Sequence, residues 1–387
     1  MARAIEMCLN RFLFHLSQTR ARKTGCAVDR IIISRTDSIG DFILFTPCLA
    51  EFRKIYSNAH IVLLVQDITF GLAEACPYVD EVWQINHRRF RRNILEHLRW
   101  YRKMSSAGFD IAIEAVYSTN FSFLECLIGW TGAPRRIGFE CTYAHRKRER
   151  QNPFFTEFIP EQKGIVFEME RNSQLLRHLG ATRHFSRHAE VWLRREDLTP
   201  TEKIQTKMNG KPYAILFPGA AKQSRMWPSG NYIEAIAEIY RAFPMHWIIC
   251  GGYGETGLCE TIAGQLRDMS IPAESFAGKT TLRELYGLFK GAAFYLGNES
   301  MAAHLAAAAD IPAVTILGGA YYGRFYPYPD NALTVAVTNE LPCWGCNWVC
   351  RYEEPECIKS VAVEDVVRAA RNLLETHFDT TRKKEEI

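Results

Sequence analysis

The chain has 387 residues, 47% of them apolar and 23% charged, with a formal net charge of +4. That composition fits a soluble globular protein, too long for one core and too close to neutrality for charge alone to imply a nucleic-acid partner. No apolar run approaches the roughly 20 residues that span a bilayer, and twelve cysteines without an export signal argue for reduced thiols or metal ligands over a disulfide framework.

Residues 1–28 mix Leu9, Phe12, Leu13 and Phe14 with Asn10, Arg11 and His15. The apolar stretch is interrupted and no small-residue cleavage site follows, which argues against a signal peptide. It reads as an N-terminal extension, either packed or frayed, or as an amphipathic helix on a membrane surface. The cytoplasm is the default compartment.

A first α/β pattern occupies 29–192. Ile31-Ile32-Ile33-Ser34 is a β-branched strand, followed by a polar turn through Gly40 and an apolar, helix-like segment headed by Asp41. Buried strands are expected at 60–65, 81–85, 110–114 and 136–139, and alternating strands and helices imply a parallel sheet covered on both faces. The pattern dissolves at 193–210, a polar stretch with Pro200, read as a linker. It restarts over 211–377 with strands at 213–217, 246–250, 293–296 and 312–317, and Ser229 is expected to cap the helix carrying Tyr232, Ile236 and Ile239. Four of these strands end in small-residue turns, a rim of backbone N–H groups suited to phosphate. Residues 378–387 read as a disordered tail.

Asp41, at a strand end and a helix start, is placed to remove a proton from an acceptor hydroxyl, or simply to cap the helix. Pro218-Gly219-Ala220-Ala221-Lys222 followed by Arg225 and Trp227-Pro228 lets the backbone approach an anion with two cations close behind. The alternative is a solvated loop with ordinary surface charges. Glu255, after Gly251-Gly252-Tyr253-Gly254, could accept hydrogen bonds from ribose hydroxyls. Asn298, Glu299, Ser300 and His304 cluster around one helix N-terminus. Glu299 and Ser300 read as ligand contacts, and His304 as structural support.

Together these segments resemble glycosyltransferase family 9, the heptosyltransferase-like enzymes of lipopolysaccharide assembly, from about residue 31 to residue 374. The resemblance implies a GT-B fold, two Rossmann-like domains with parallel sheets facing across a cleft. It puts the acceptor mostly in the first domain, the nucleotide-sugar in the second, and no metal at the reacting centre. It further implies that Asp41 is the base of a single-step inverting displacement, that Arg225 stands where a phosphate-binding lysine is usual, and that Glu255 lies near the ribose-binding acid. Glu299 replaces the usual aspartate, and Met301 and Ala302 replace Gly-Pro. The implied donor is a nucleotide diphosphate sugar, ADP-heptose by family, with Gly219, Ala220, Ala221, Lys222, Arg225, Glu255, Asn298, Glu299, Ser300 and His304 around it. The acceptor is a glycan or lipid-linked hydroxyl.

On the acceptor side, Arg88, Arg89, Arg91 and Arg92 open a basic, aromatic, helix-compatible stretch, and a second basic run follows at 145–150. Both read either as solvated faces or as contacts to lipid phosphate at the inner face of an anionic membrane. Cys343, Cys346, Cys350 and Cys357 offer four thiolates, enough for structural zinc or iron, with free or packed thiols the other reading. Iron at a similar cluster is understood for some family members. No cofactor is expected in catalysis and no nucleic acid as partner. Two other functions stand beside the transferase: a non-catalytic nucleotide-sugar or nucleic-acid binding protein, and a GT-B sugar-nucleotide epimerase.

Overall fold

The computed structural model describes residues 2–18, 28–117, 124–140, 152–162, 164, 166–182 and 186–385, with side chains placed between 9 and 377. The basic run at 145–150 lies outside the described residues. The chain divides into two compact units, Met1–Arg187 and His188–Ile387.

In the first unit the apolar runs become β1 (Arg30–Arg35), β2 (His60–Gln66), β3 (Glu81–Ile85), β4 (Ile111–Glu114), β5 (Arg135–Phe139) and β6 (Glu157–Ile159). Among the described residues they form one sheet in the order β3-β2-β1-β4-β5-β6, and all pairs are parallel. Ile31, Ile32 and Ile33 are wholly buried because β1 has a neighbour on each edge and helices on both faces. That explains why its apolar residues run continuously instead of alternating. The helix Ala2–Gln18 packs within this unit. Leu13 and Phe14 are buried, Phe14 meets Phe154 edge-on at 5.3 Å, and the Trp130 indole donates to the Asn10 carbonyl at 3.1 Å.

The second unit repeats the plan with β7 (Tyr213–Phe217), β8 (His246–Ile249), β9 (Ala273–Ser275), β10 (Phe294–Asn298), β11 (Ala313–Ile316) and β12 (Thr334–Val337). Their order is β12-β11-β10-β7-β8-β9, again all parallel. Residues 193–210, read as the linker, belong to the second unit. They hold the 3-10 turn Arg195–Leu198 and the helix Thr199–Lys207. Pro200 fits the first helical turn, where its missing N–H costs nothing, Ile204 is buried, and Asp197 pairs with Arg283 at 2.8 Å. Ser229 is the first residue inside its helix, Ser229–Ala242, and makes no side-chain cap; Pro228 takes the cap position. The last helix, Val363–Glu385, runs into the stretch read as a tail, since Arg382, Lys383, Lys384 and Glu385 all favour helix and no glycine or proline stops it.

In both sheets the strand order reverses beside the first strand of the unit, between β1 and β4 and between β7 and β10. Connections leave those two strands in opposite directions, so a crevice opens at their C-terminal ends, where open α/β sheets bind ligands.

Candidate active site

In the first unit this crevice is organised by one buried cation. β1 ends in Arg35, which is wholly buried. Its Nε donates to Asp37 at 3.0 Å and its Nη2 lies 2.9 Å from the other Asp37 oxygen. Nη1 donates to the Ala115 carbonyl at 2.6 Å and to Asn172 at 3.1 Å, and Nη2 reaches the Asp41 carbonyl at 3.1 Å and Glu168 at 3.4 Å. Burial alone would push the Arg35 guanidinium down; Asp37, Glu168 and Asp41 more than offset it and hold the group above its ordinary value.

Asp41 stands in the first turn of the helix Ile39–Ile55, and the N-cap is Ser38. The Ser38 hydroxyl donates to the Asp41 carboxylate and its oxygen faces the Asp41 N–H at 3.5 Å. Capping is therefore done by Ser38. The Asp41 side chain, 19% exposed and 3.9 Å from Arg35, keeps contact with solvent at a helix N-terminus that favours an anion. Behind it, buried Glu114 accepts from Ser34 at 3.1 Å, and burial together with Glu125 pushes the Glu114 carboxyl well above the usual range.

In the second unit the crevice is built mainly from backbone. Asn298, at the end of β10, donates to the Pro218 carbonyl at 2.5 Å and accepts from the Trp227 N–H at 3.0 Å, which ties β10 to the segment leaving β7. A Cβ on Gly297 would fall 2.6 Å from the Phe217 carbonyl, so the close approach of β7 and β10 needs glycine there. Gly219 lies directly under Glu255, whose Oε1 a Cβ would meet at 1.8 Å, and the Gly252 N–H holds that carboxylate at 2.7 Å. Ala220 and Arg225 are half-buried, while Ala221 and Lys222 are exposed. Ser300 caps the helix Met301–Ala308 by accepting from Ala302 at 3.3 Å. Burial pushes the Glu299 carboxyl up to about 7, with Arg225 opposing. His304 is buried 2.9 Å from the Tyr328 hydroxyl, and burial pushes its imidazole down to about 4. It is neutral and satisfied by a side chain instead of by backbone.

The family model for glycosyltransferase family 9 (heptosyltransferase) matches residues 98–350. The chain belongs to glycosyltransferase family 9. Lipopolysaccharide heptosyltransferase 3 of Escherichia coli (strain K12) is 23% identical over 354 residues, covering 87% of this chain and 95% of that protein. The fold is shared with a glycosyl transferase family 9 protein from Veillonella parvula, at a TM-score of 0.76 and 19% identity over 92% of this chain and 100% of that one. It is also shared with the E. coli ADP-heptose lps heptosyltransferase II, at a TM-score of 0.68 and 16% identity over 90% and 99% of the two chains.

One sequence expectation needs correction within this GT-B, family 9 frame. The turn after β11 does not join the phosphate rim. Gly318 and Gly319 are buried beneath Trp348 and Trp344, whose rings a Cβ would meet at 3.1 and 2.6 Å. The four cysteines lie together in the segment 343–357. Cys343 and Cys357 are buried, Cys346 is half-buried and Cys350 is exposed with its sulfur 3.7 Å from the Glu354 carbonyl. Burial pushes the Cys357 thiol up, and the other three thiols add to the shift. Yet among the described residues no three His, Cys, Asp or Glu side chains converge as a metal requires. Asn347 and Trp348 have left-handed backbone, and four thiolates are a donor set that zinc or iron accepts.

Arg88, Arg89, Arg91 and Arg92 lie on the short helix His87–Arg92, which follows the edge strand β3 at the C-terminal side of the sheet. All four are exposed, and Arg89 pairs with Glu96 at 2.8 Å. The sequence reading missed Arg35, Glu168 and Asn172. A charged residue closing a strand with no exposed face, with an acid two positions on, was the available signal for a buried ion pair.

Proposed function

We propose that the chain transfers a heptose from ADP-heptose to a hydroxyl of a lipopolysaccharide acceptor, in one inverting step with Asp41 as base. Support comes from the family, from the heptosyltransferases it resembles, and above all from the two switch points. One presents a carboxylate that is reachable and not used as a cap; the other presents a glycine turn, an acid over it and two cations. In this reading the first unit takes the acceptor and the second the donor. Glu255 accepts from the ribose, while the N–H groups of residues 219–222, Lys222 and Arg225 meet the diphosphate. These donors stabilise the charge that develops on the leaving ADP, with no metal at the reacting centre. Asp41 takes the acceptor proton as that oxygen attacks the anomeric carbon. Asp41→Ala should cut turnover with ADP-heptose roughly a thousandfold or more and leave ADP binding within about twofold of wild type. Turnover that survives the substitution would remove Asp41 from the role.

We also infer that the enzyme works against an anionic membrane surface. On the helix Ile94–Ser106, Ile94, Leu95 and Leu98 are exposed at 55%, 68% and 41%, alongside exposed Arg99, Arg102 and Lys103 and next to the four arginines of the preceding helix. The opposite face, with His97, Trp100, Tyr101 and Met104, is buried. Apolar side chains ringed by cations suit an interface of headgroups and acyl chains. Among the described residues no helix is long and apolar enough to cross a membrane, so contact would be peripheral. Binding to phosphatidylglycerol vesicles should weaken with salt and drop with Leu95→Glu/Leu98→Glu; salt-independent binding or none would count against it.

A further inference from the structure

The loop at 342–357 carries the cysteines, and the proposed chemistry does not account for the backbone it adopts at Asn347 and Trp348. Asn347 and Trp348 both have positive φ, 51° and 62°. That conformation is costly for a bulky side chain and persists only where the surroundings impose it. Here they do. The Gly345 N–H donates to the Gly319 carbonyl at 2.9 Å and the Asn347 N–H to the Ala320 carbonyl at 3.3 Å. A Cβ on Gly318 would fall 3.0 Å from the Ile358 side chain and 3.1 Å from the Trp348 ring, and Tyr321 meets the ring edge-on at 6.4 Å. The Trp348 indole nitrogen is buried with no hydrogen-bond partner among the described residues, so the ring is held there for its face and not for its N–H.

That face carries Arg225, whose guanidinium carbon lies 3.8 Å from the ring centroid. We propose that Trp348 is a positioning residue for donor binding: it is the platform that holds Arg225 toward the diphosphate, and the loop at 342–357 presents that platform. A planar guanidinium can lie flat on an indole and still aim its edge N–H groups at two phosphate oxygens, which a lysine ammonium cannot do. The platform thus goes with the arginine that stands where the family usually has lysine. It also works against Glu299, which attracts the same guanidinium and would compete with the ligand for it. The proposal rests on the reading of Arg225 as a diphosphate contact.

Calorimetric titration of the full-length protein with ADP and with adenosine tests both. Trp348→Leu should weaken ADP about tenfold, leave adenosine unchanged, and add little on top of Arg225→Ala; Trp348→Phe should recover most of the loss. Gly318→Ala, which presses a methyl between the ring and Ile358, should weaken ADP more mildly and in the same selective way. If Arg225→Ala weakens ADP while Trp348→Leu and Gly318→Ala do not, the platform is refuted alone. Equal losses for ADP and adenosine, or full additivity with Arg225→Ala, would refute it as well. If Arg225→Ala itself has no effect on ADP, the donor-site reading falls and takes the platform with it.

Discussion

At the end of β1 the first unit buries a cation completely and surrounds it with Asp37, Glu168, Asn172 and two backbone carbonyls. At the equivalent end of β7 the second unit has no charged side chain until Lys222 and Arg225, and both reach solvent. A guanidinium as fully partnered as that of Arg35 has nothing left for a ligand. It can only fix its neighbours, and it fixes the helix turn bearing Asp41. Arg225 is in the opposite state. Burial pushes it below its ordinary value, with Tyr321 and Glu299 opposing, and its face is stacked while its edge stays under-partnered. On the proposed reading, the same strand order supports a rigid proton acceptor in one unit and an adjustable anion receptor in the other.

The largest way to break that contrast is Arg35→Met. It leaves Asp37 and Glu168 buried without a counter-charge, and loss of one partner from a buried ion pair costs about 3–5 kcal/mol. Urea unfolding followed on the first unit should show it, and a loss under about 1 kcal/mol would mean that Arg35 behaves as a surface group. In the second unit the matching test is steric. Gly219→Ala drives Glu255 from its place, because the new Cβ would fall 1.8 Å from Oε1. ADP affinity should drop about tenfold or more with little change in the apoprotein's melting. At a concentration that gives the wild type about 2.7 kcal/mol of ligand stabilisation, a tenfold weaker variant gains only about 1.4 kcal/mol.

What could be read from sequence follows the same division. The central strands were legible because burial on both faces forces uninterrupted β-branched runs, as in Ile31-Ile32-Ile33 and Ile61-Val62-Leu63-Leu64. β6, β9 and β12 were not read. All three are edge strands of three or four residues, too short for periodicity to register. In the site, the backbone turns at Gly219 and Gly251 were legible because glycine marks them. The Arg35 network was not, since its members at 35, 37, 168 and 172 are joined only by folding. Nor did spacing show that the cysteine loop seats Trp348 beneath Arg225; the left-handed φ at Asn347 and Trp348 is visible only in the backbone.

Glu299 gives a smaller and more revealing effect. Its folded value, about 7, lies above that of an unfolded glutamate. Its contribution to stability is therefore full below the unfolded value of about 4.3 and is lost as pH rises through about 7. The ionised form would also repel a diphosphate bound as proposed, and it draws on Arg225. ADP affinity should fall by up to about tenfold between pH 6 and 8, and Glu299→Gln should flatten both the affinity and the stability profiles. A fall that persists in the glutamine variant would assign the titration to another group.

The smallest effect expected is that of Ser38→Ala, and it bears directly on what positions the base. The substitution removes a helix cap, worth about 1 kcal/mol, and with it the hydroxyl bonded to the Asp41 carboxylate. Arg35 still holds the Asp41 carbonyl at 3.1 Å and still supplies positive potential beside the carboxylate. If the buried cation sets the geometry of the base, turnover should fall only severalfold, and its pH dependence should keep its shape. A loss approaching that of Asp41→Ala would transfer the positioning role from the fixed ion pair to a partly exposed hydroxyl. The first unit's site would then be as adjustable as the second's.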